Sequence, residues 1–305
     1  VNLHGVGNVL SHNKIHDAPH AAVYFYGNEN ILEYNEVYDV ALETGDVGGF
    51  YMGRDWTCRG NIIRYNYFHH IHGPGHGGAR PVYLDDWASA TRIEGNIFYD
   101  TTMAAFIGGG RDNRIENNVF VKCLPSIQID ARGLSWAAYY FDRSHPNHQS
   151  TLFDRMDAMN YSQPPFSEKY PKLVTLYDDD PAIPKYNVVS RNISFESQFI
   201  MLNDGLDFDT VTVRDNLIAD KVIVDRRFRG EKPLVSTAED SEMVARLAAL
   251  GNRVIVGDPG FVDAANGDFR LREDSPAWEL GFKAIPFDRI GLYMDEFRTV
   301  LPQKK

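Results

Sequence analysis

Aspartates crowd into one stretch of this chain. Asp46 stands in the glycine-rich run TGDVGG, Asp55 in GRDW, and Asp85 and Asp86 are adjacent in YLDDW, with Glu43 a further carboxyl nearby. Two carboxyls that flank a glycosidic bond can divide its cleavage between them, one as acid and the other as base or nucleophile. Separations of roughly 5 Å suit retention of configuration, and roughly 6.5–9.5 Å suit inversion. Neighbouring aspartates repel unless one is protonated, metal-bound or turned away, so Asp85 or Asp86 is expected to carry a raised pKa and serve as the acid.

The residues around them are those a sugar needs. Tyr51, Trp56, Tyr83 and Trp87 offer ring faces for stacking, and Arg54, Arg80, Arg111, Asp130 and Arg132 offer polar contacts. His76, in GPGHGG, lies in the loop beside this group and is a further ligand or acid–base candidate. His69, His70 and His72 do not make a metal site, because strand alternation sends adjacent histidines to opposite faces. The competing reading of the same charges is a structural Asp–Arg ladder, since a singly buried charge costs several kcal/mol.

What must position these residues is a repeat. An asparagine, an apolar residue, two variable residues and a second asparagine recur at Asn8–Asn13, Asn30–Asn35, Asn61–Asn66, Asn113–Asn118 and Asn187–Asn192. Degenerate copies run from Thr91 to Asn96 and from Val211 to Asn216. Successive starts are 22, 31, 30, 22, 74 and 24 residues apart, solenoid spacing with one long interruption. Within each copy, as in NIIRYNYFHHI, apolar side chains fall at every second position. Such strands bury one face, and stacked coils bury those faces continuously at about 4.8 Å spacing. Asparagine at each turn tolerates left-handed backbone and can bond its counterpart in the next coil. The expected fold is all-β, a right-handed parallel β-helix in one domain. Coils over 1–133 carry the candidate groove, a partly helical and irregular insertion spans 134–185, further coils fill 186–228, and 229–305 forms a C-terminal cap.

The 305 residues are 43% hydrophobic and 12% aromatic, enough for a large core. A net charge of −11 argues against a nucleic-acid partner, and no apolar run is long enough to span a membrane. Cys58 and Cys123 show neither a disulfide framework nor zinc spacing and read as buried apolar residues. The chain begins Val-Asn-Leu-His, which reads as a processed or excised piece lacking amino-terminal coils.

The stretches TGDVGGFYMGRDWTCRGNIIRYNYFHHI, VYLDDWAS, GGGRDNRIENNVFVKC, IDARGLSW, PPFSEKYPKL and SPAWELGFKAIPFDRIGLYMDEFR, in that motif order, resemble β-helix proteins related to glycoside hydrolase family 141. The resemblance implies secreted, periplasmic or cell-surface enzymes that degrade polysaccharides, with fucosidase- or xylanase-like activity. It also implies a catalytic aspartate pair, carried over to Asp46 and Asp86 with Asp85 as the other possible second member. The expected partner is a polysaccharide or oligosaccharide bound by a monomer without a cofactor. A lyase or epimerase on this scaffold is the second reading, using Arg80, Arg111, Arg132 and His76 with calcium held by Asp85 and Asp86. A non-catalytic carbohydrate-binding solenoid is the third.

Overall fold

A computed structural model describes residues 1–75, 77–146, 148 and 150–301. Each repeat supplies three short strands, and among the described residues these stack into three long sheets of nine, seven and eight strands. Every pairing within the coils is parallel, and neighbours in each sheet are one coil apart in sequence. Among the described residues, antiparallel pairing occurs at the last strand of the first sheet, Leu234–Thr237, and in a small hairpin of Phe261–Asp263 with Asp268–Leu271. The fold is therefore the right-handed parallel β-helix that the repeat predicts, with the crossover handedness usual for parallel strands.

Inward residues stack in register. On the first sheet Val23, Phe50, Val82, Ala105, Ile127, Ile200 and Val224 form one continuous row. On the second, Leu32, Ile63, Ile93, Ile115, Val189 and Val213 do the same. On the third, the rings of Phe68, Phe98 and Phe120 stack nearly parallel at 5.1 and 4.8 Å. Each such ring contributes about 1.5–3 kcal/mol by leaving water.

The asparagines form the expected ladders. In the longer one each side-chain amide donates to the next oxygen at 2.8–3.0 Å, from Asn13 through Asn35, Asn66, Asn96, Asn118, Asn192 and Asn216 to Asn252. In the other, Thr91 interrupts the run, and Asn113 bonds Thr91 through its oxygen alone. One detail differs from expectation. The left-handed residue is the one before each asparagine, as at Glu29, Tyr34, Tyr65, Asp112 and Arg191. The asparagine itself turns its amide inside, where it caps backbone groups that the corner leaves unpaired.

The insertion holds the helices Thr151–Ala158, Phe166–Lys169 and Pro171–Val174 with several 3-10 turns. It packs as a separate apolar cluster on the turns that leave the first sheet. The residues expected as a cap, 229–305, pack in two places. Helix Ser241–Ala249 puts Met243 and Leu247 into the end of the main core. Phe261, Phe269, Ala277 and Phe282 instead cover the outer face of the third sheet, and Gly291 reaches back to Tyr34 near the first coils. Among the described residues no helix is long and apolar enough to cross a membrane.

Candidate functional site

The outer face of the first sheet carries two side-chain rows because alternate residues of each strand point outward. The first row runs Tyr24, Tyr51, Tyr83, Phe106, Gln128, Met201 and Asp225. Its rings pack in sequence, Tyr24 against Tyr51 at 5.4 Å, Tyr51 against Tyr83 at 5.3 Å and Tyr83 against Phe106 at 4.9 Å. Tyr24 and Tyr51 remain half-exposed, whereas Tyr83 and Phe106 are covered by the Arg80 guanidinium at 4.5 and 5.0 Å. The second row, nearer the strand ends, alternates Gly53, Asp85, Gly108 and Asp130.

Arg132 fills the gap in that second row. A Cβ on Gly108 would lie 2.3 Å from Arg132 Nη2, so the missing side chain is what admits the guanidinium between Asp85 and Asp130. Arg132 Nη1 donates to Asp85 Oδ1 and Asp86 Oδ1, each at 2.6 Å, and Nη2 donates to Asp130 Oδ2 at 2.8 Å. The Arg132 side chain is only 4% exposed, so three carboxylates share one buried cation. Arg54 adds a second cation through Asp86 Oδ2, and Tyr51 donates its hydroxyl to Asp85 Oδ2 at 2.8 Å. Burial pushes the Asp85 carboxyl up, but the Arg132 charge and the Tyr51 and Arg132 hydrogen bonds outweigh it and leave Asp85 below the usual carboxylate range. Burial prevails at Asp130, which is raised despite Arg132. The expectation of a raised acid at Asp85 thus fails, because the neighbouring charge it meets is a guanidinium rather than Asp86 alone. Asp86 turns at positive φ, as does Trp87 after it, an uncommon backbone that directs the Asp86 carboxyl back to Arg132.

Asp46 occupies the other edge. It precedes strand Val47–Gly53 while Asp86 follows its neighbour Ala79–Asp85, and the register pairs Val47 with Ala79 and Gly53 with Asp85. The expected Asp46–Asp86 pairing is therefore not formed: the two flank opposite ends of paired seven-residue strands. The chain enters its strand by folding over Tyr83, where a Cβ on Gly48 would lie 2.8 Å from Tyr83 Cβ. This brings Asp46 Oδ1 to Arg80 Nη1 at 2.9 Å and to the Tyr83 hydroxyl at 3.3 Å. Its side chain remains 73% exposed, unlike the aspartates around Arg132. Glu43 is exposed on the same loop.

Several candidates have other work. Trp56 and Trp87 present no ring face to a ligand; both are fully buried beneath the insertion, against Phe141 and, for Trp87, Tyr140. Arg111 is buried and holds the insertion through the carbonyl and carboxylate of Asp179. Asp55 accepts from the Thr57 amide and hydroxyl and shapes its own turn. Asp85 and Asp86 give their oxygens to Arg132 and so do not form the calcium pair of the lyase reading, and among the described residues no group of three metal-ligating side chains is gathered. His76 lies outside the described residues. Cys58 and Cys123 are buried free thiols, each pushed up to about 12 chiefly by burial.

Sequence reasoning missed Tyr24, Phe106 and Trp136. Trp136 is half-exposed on the insertion, with Arg132 5.3 Å from its ring. Continuing the Tyr51–Tyr83 alignment one coil each way marks the first two; Trp136 has no repeat to mark it. Residues 1–138, which include nearly all of this site, match the family model described as right handed beta helix region, and neither the curated proteins nor the solved structures yield a match.

Proposed function

We propose that the outer face of the first sheet binds a saccharide and that the protein hydrolyses a glycosidic bond there with Asp46 as a reacting carboxylate. One observation carries this reading: Asp46 keeps a largely exposed carboxylate on the ring-lined face of the sheet, held there by the Tyr83 hydroxyl and Arg80. Asp46, open to water, is the carboxylate that a bound sugar can reach. The half-exposed rings of Tyr24 and Tyr51 would stack on sugar. The resemblance to glycoside hydrolase family 141 supports the same class of reaction and a complex, plant-type polysaccharide as substrate, acted on outside the cell.

The test is release of reducing ends from xylan and fucosylated polysaccharides. Wild-type protein should release saturated products, and Asp46→Asn should lower the rate at least about 100-fold. Unchanged turnover in Asp46→Asn would remove that residue from the chemistry, and unsaturated products would point to a lyase. The clamp of Arg132 on Asp85 favours a second reading, a binding solenoid without catalysis. Saturable saccharide binding with no bond cleavage in wild type would establish it.

A further inference from the structure

A second cleft, of about 330 Å³, opens where the insertion meets the turns between the first and second sheets. That volume is at the low end for small-molecule sites. Arg59, Asp112 and Arg114 line it from the coils, Lys169 and Lys172 from the insertion, and Tyr186 from the chain's return. Four cations thus face one carboxylate. Asp112 is fully engaged, Oδ2 with Arg59 Nη2 and Oδ1 with Lys172 Nζ. Adding Glu116 beside Arg114 and Glu29 beside Lys169 still leaves one positive charge in excess.

Arg59 makes the excess consequential. Its side chain is 2% exposed, yet Nη1 is buried with no hydrogen-bond partner among the described residues. A buried guanidinium with an unmet donor is costly, and an oxyanion is the group that answers both its charge and its geometry. Burial pulls the Arg59 pKa down further than Asp112 raises it, as expected for an under-compensated cation. Lys172 Nζ stands 4.1 Å from the Tyr186 ring centroid, so that ring orients the ammonium within the lining.

We propose that this cleft is an oxyanion site, taking a carboxylate or sulfate either free or carried on an acidic sugar. Because coils and insertion both supply cations, a bound anion fastens one to the other. The site stands apart from the Asp46 face and does not depend on the hydrolase reading. Full-length protein would be titrated with sodium sulfate, sodium phosphate and galacturonate, against galactose and against sodium chloride at matched ionic strength, with calorimetry and Tm as readouts. At least one oxyanion should bind saturably and raise Tm, and galactose and chloride should not. Galacturonate binding more tightly than inorganic sulfate identifies a sugar-borne anion; the reverse identifies a free one. Arg59→Gln should abolish binding, and since that variant is at risk of misfolding, Lys169→Gln/Lys172→Gln, both well exposed, should weaken it about tenfold or more. No saturable response to any of the three anions, or undiminished affinity in the double-lysine variant, overturns the proposal.

Discussion

The two edges of the first sheet hold aspartates in opposite ways. At the strand ends, Asp85, Asp86 and Asp130 converge on Arg132 and all are nearly sealed from water. At the strand starts, Asp46 pairs with Arg80 but keeps most of its surface in solvent. In the low dielectric of the first edge, removing one partner leaves charges with no compensation; at the second, water and salt screen whatever is lost. The same residue types are thus a staple on one side and an accessible reactive group on the other. The insertion accounts for much of the difference, since it lies over the strand-end turns and not over the Asp46 loop.

The largest effect should follow from breaking the staple. Arg132→Met leaves three carboxylates around an apolar side chain and should cost about 3–5 kcal/mol, a large share of a domain's usual stability. Gly108→Ala pushes a methyl onto the same guanidinium and should cost less, about 1–3 kcal/mol. Urea denaturation of both variants measures this. If Arg132→Met loses under 1 kcal/mol, the strand-end charges do not hold that edge together.

How much of this was legible follows from what repeats. The asparagine phrase recurs because each coil meets the same corner, so fold, strand register and the Tyr51–Tyr83 alignment could be read directly. The fates of Trp56, Trp87 and Arg111 could not. They depend on where a non-repeating insertion lands, and nothing in the local pattern of GRDW or LDDW records a lid of Phe141, Tyr140 and Asp179. Arg132 was visible as an arginine beside Asp130. Its reach to Asp85 and Asp86 depends on the space above Gly108, which appears only once the coils are stacked.

Asp220 sharpens the comparison, because it is as buried as the Arg132 cluster but is held by the Ser194 hydroxyl and the Ser197 amide instead of a cation. Burial raises its carboxyl to about 6 against those two hydrogen bonds, from an ordinary value of 3.8. Between those pH values the folded state holds a proton that the unfolded chain has lost, so this residue's contribution improves as pH falls from 6 towards 4. Above pH 6 its ionised form costs about 3 kcal/mol. Asp220→Asn should therefore gain most over wild type at pH 7–8, with the advantage fading below pH 5. Denaturation at several pH values measures that difference, and a gap independent of pH would mean that Asp220 is ionised throughout.

The smallest change in stability belongs to Asp46→Asn, and its smallness is the informative part. An asparagine oxygen can still accept from Arg80, and Arg80 keeps its packing on Tyr83 and Phe106. The charge that disappears is one already in contact with water, so the cost should be about 1 kcal/mol or less and should shrink as salt is added. Asp85→Asn removes an ionised partner from inside the staple, and there the loss should be larger and nearly insensitive to salt. Paired denaturation curves at low and high salt separate the two. A salt-insensitive loss at Asp46 as large as that at Asp85 would make both edges structural and leave the groove without a carboxylate free to react.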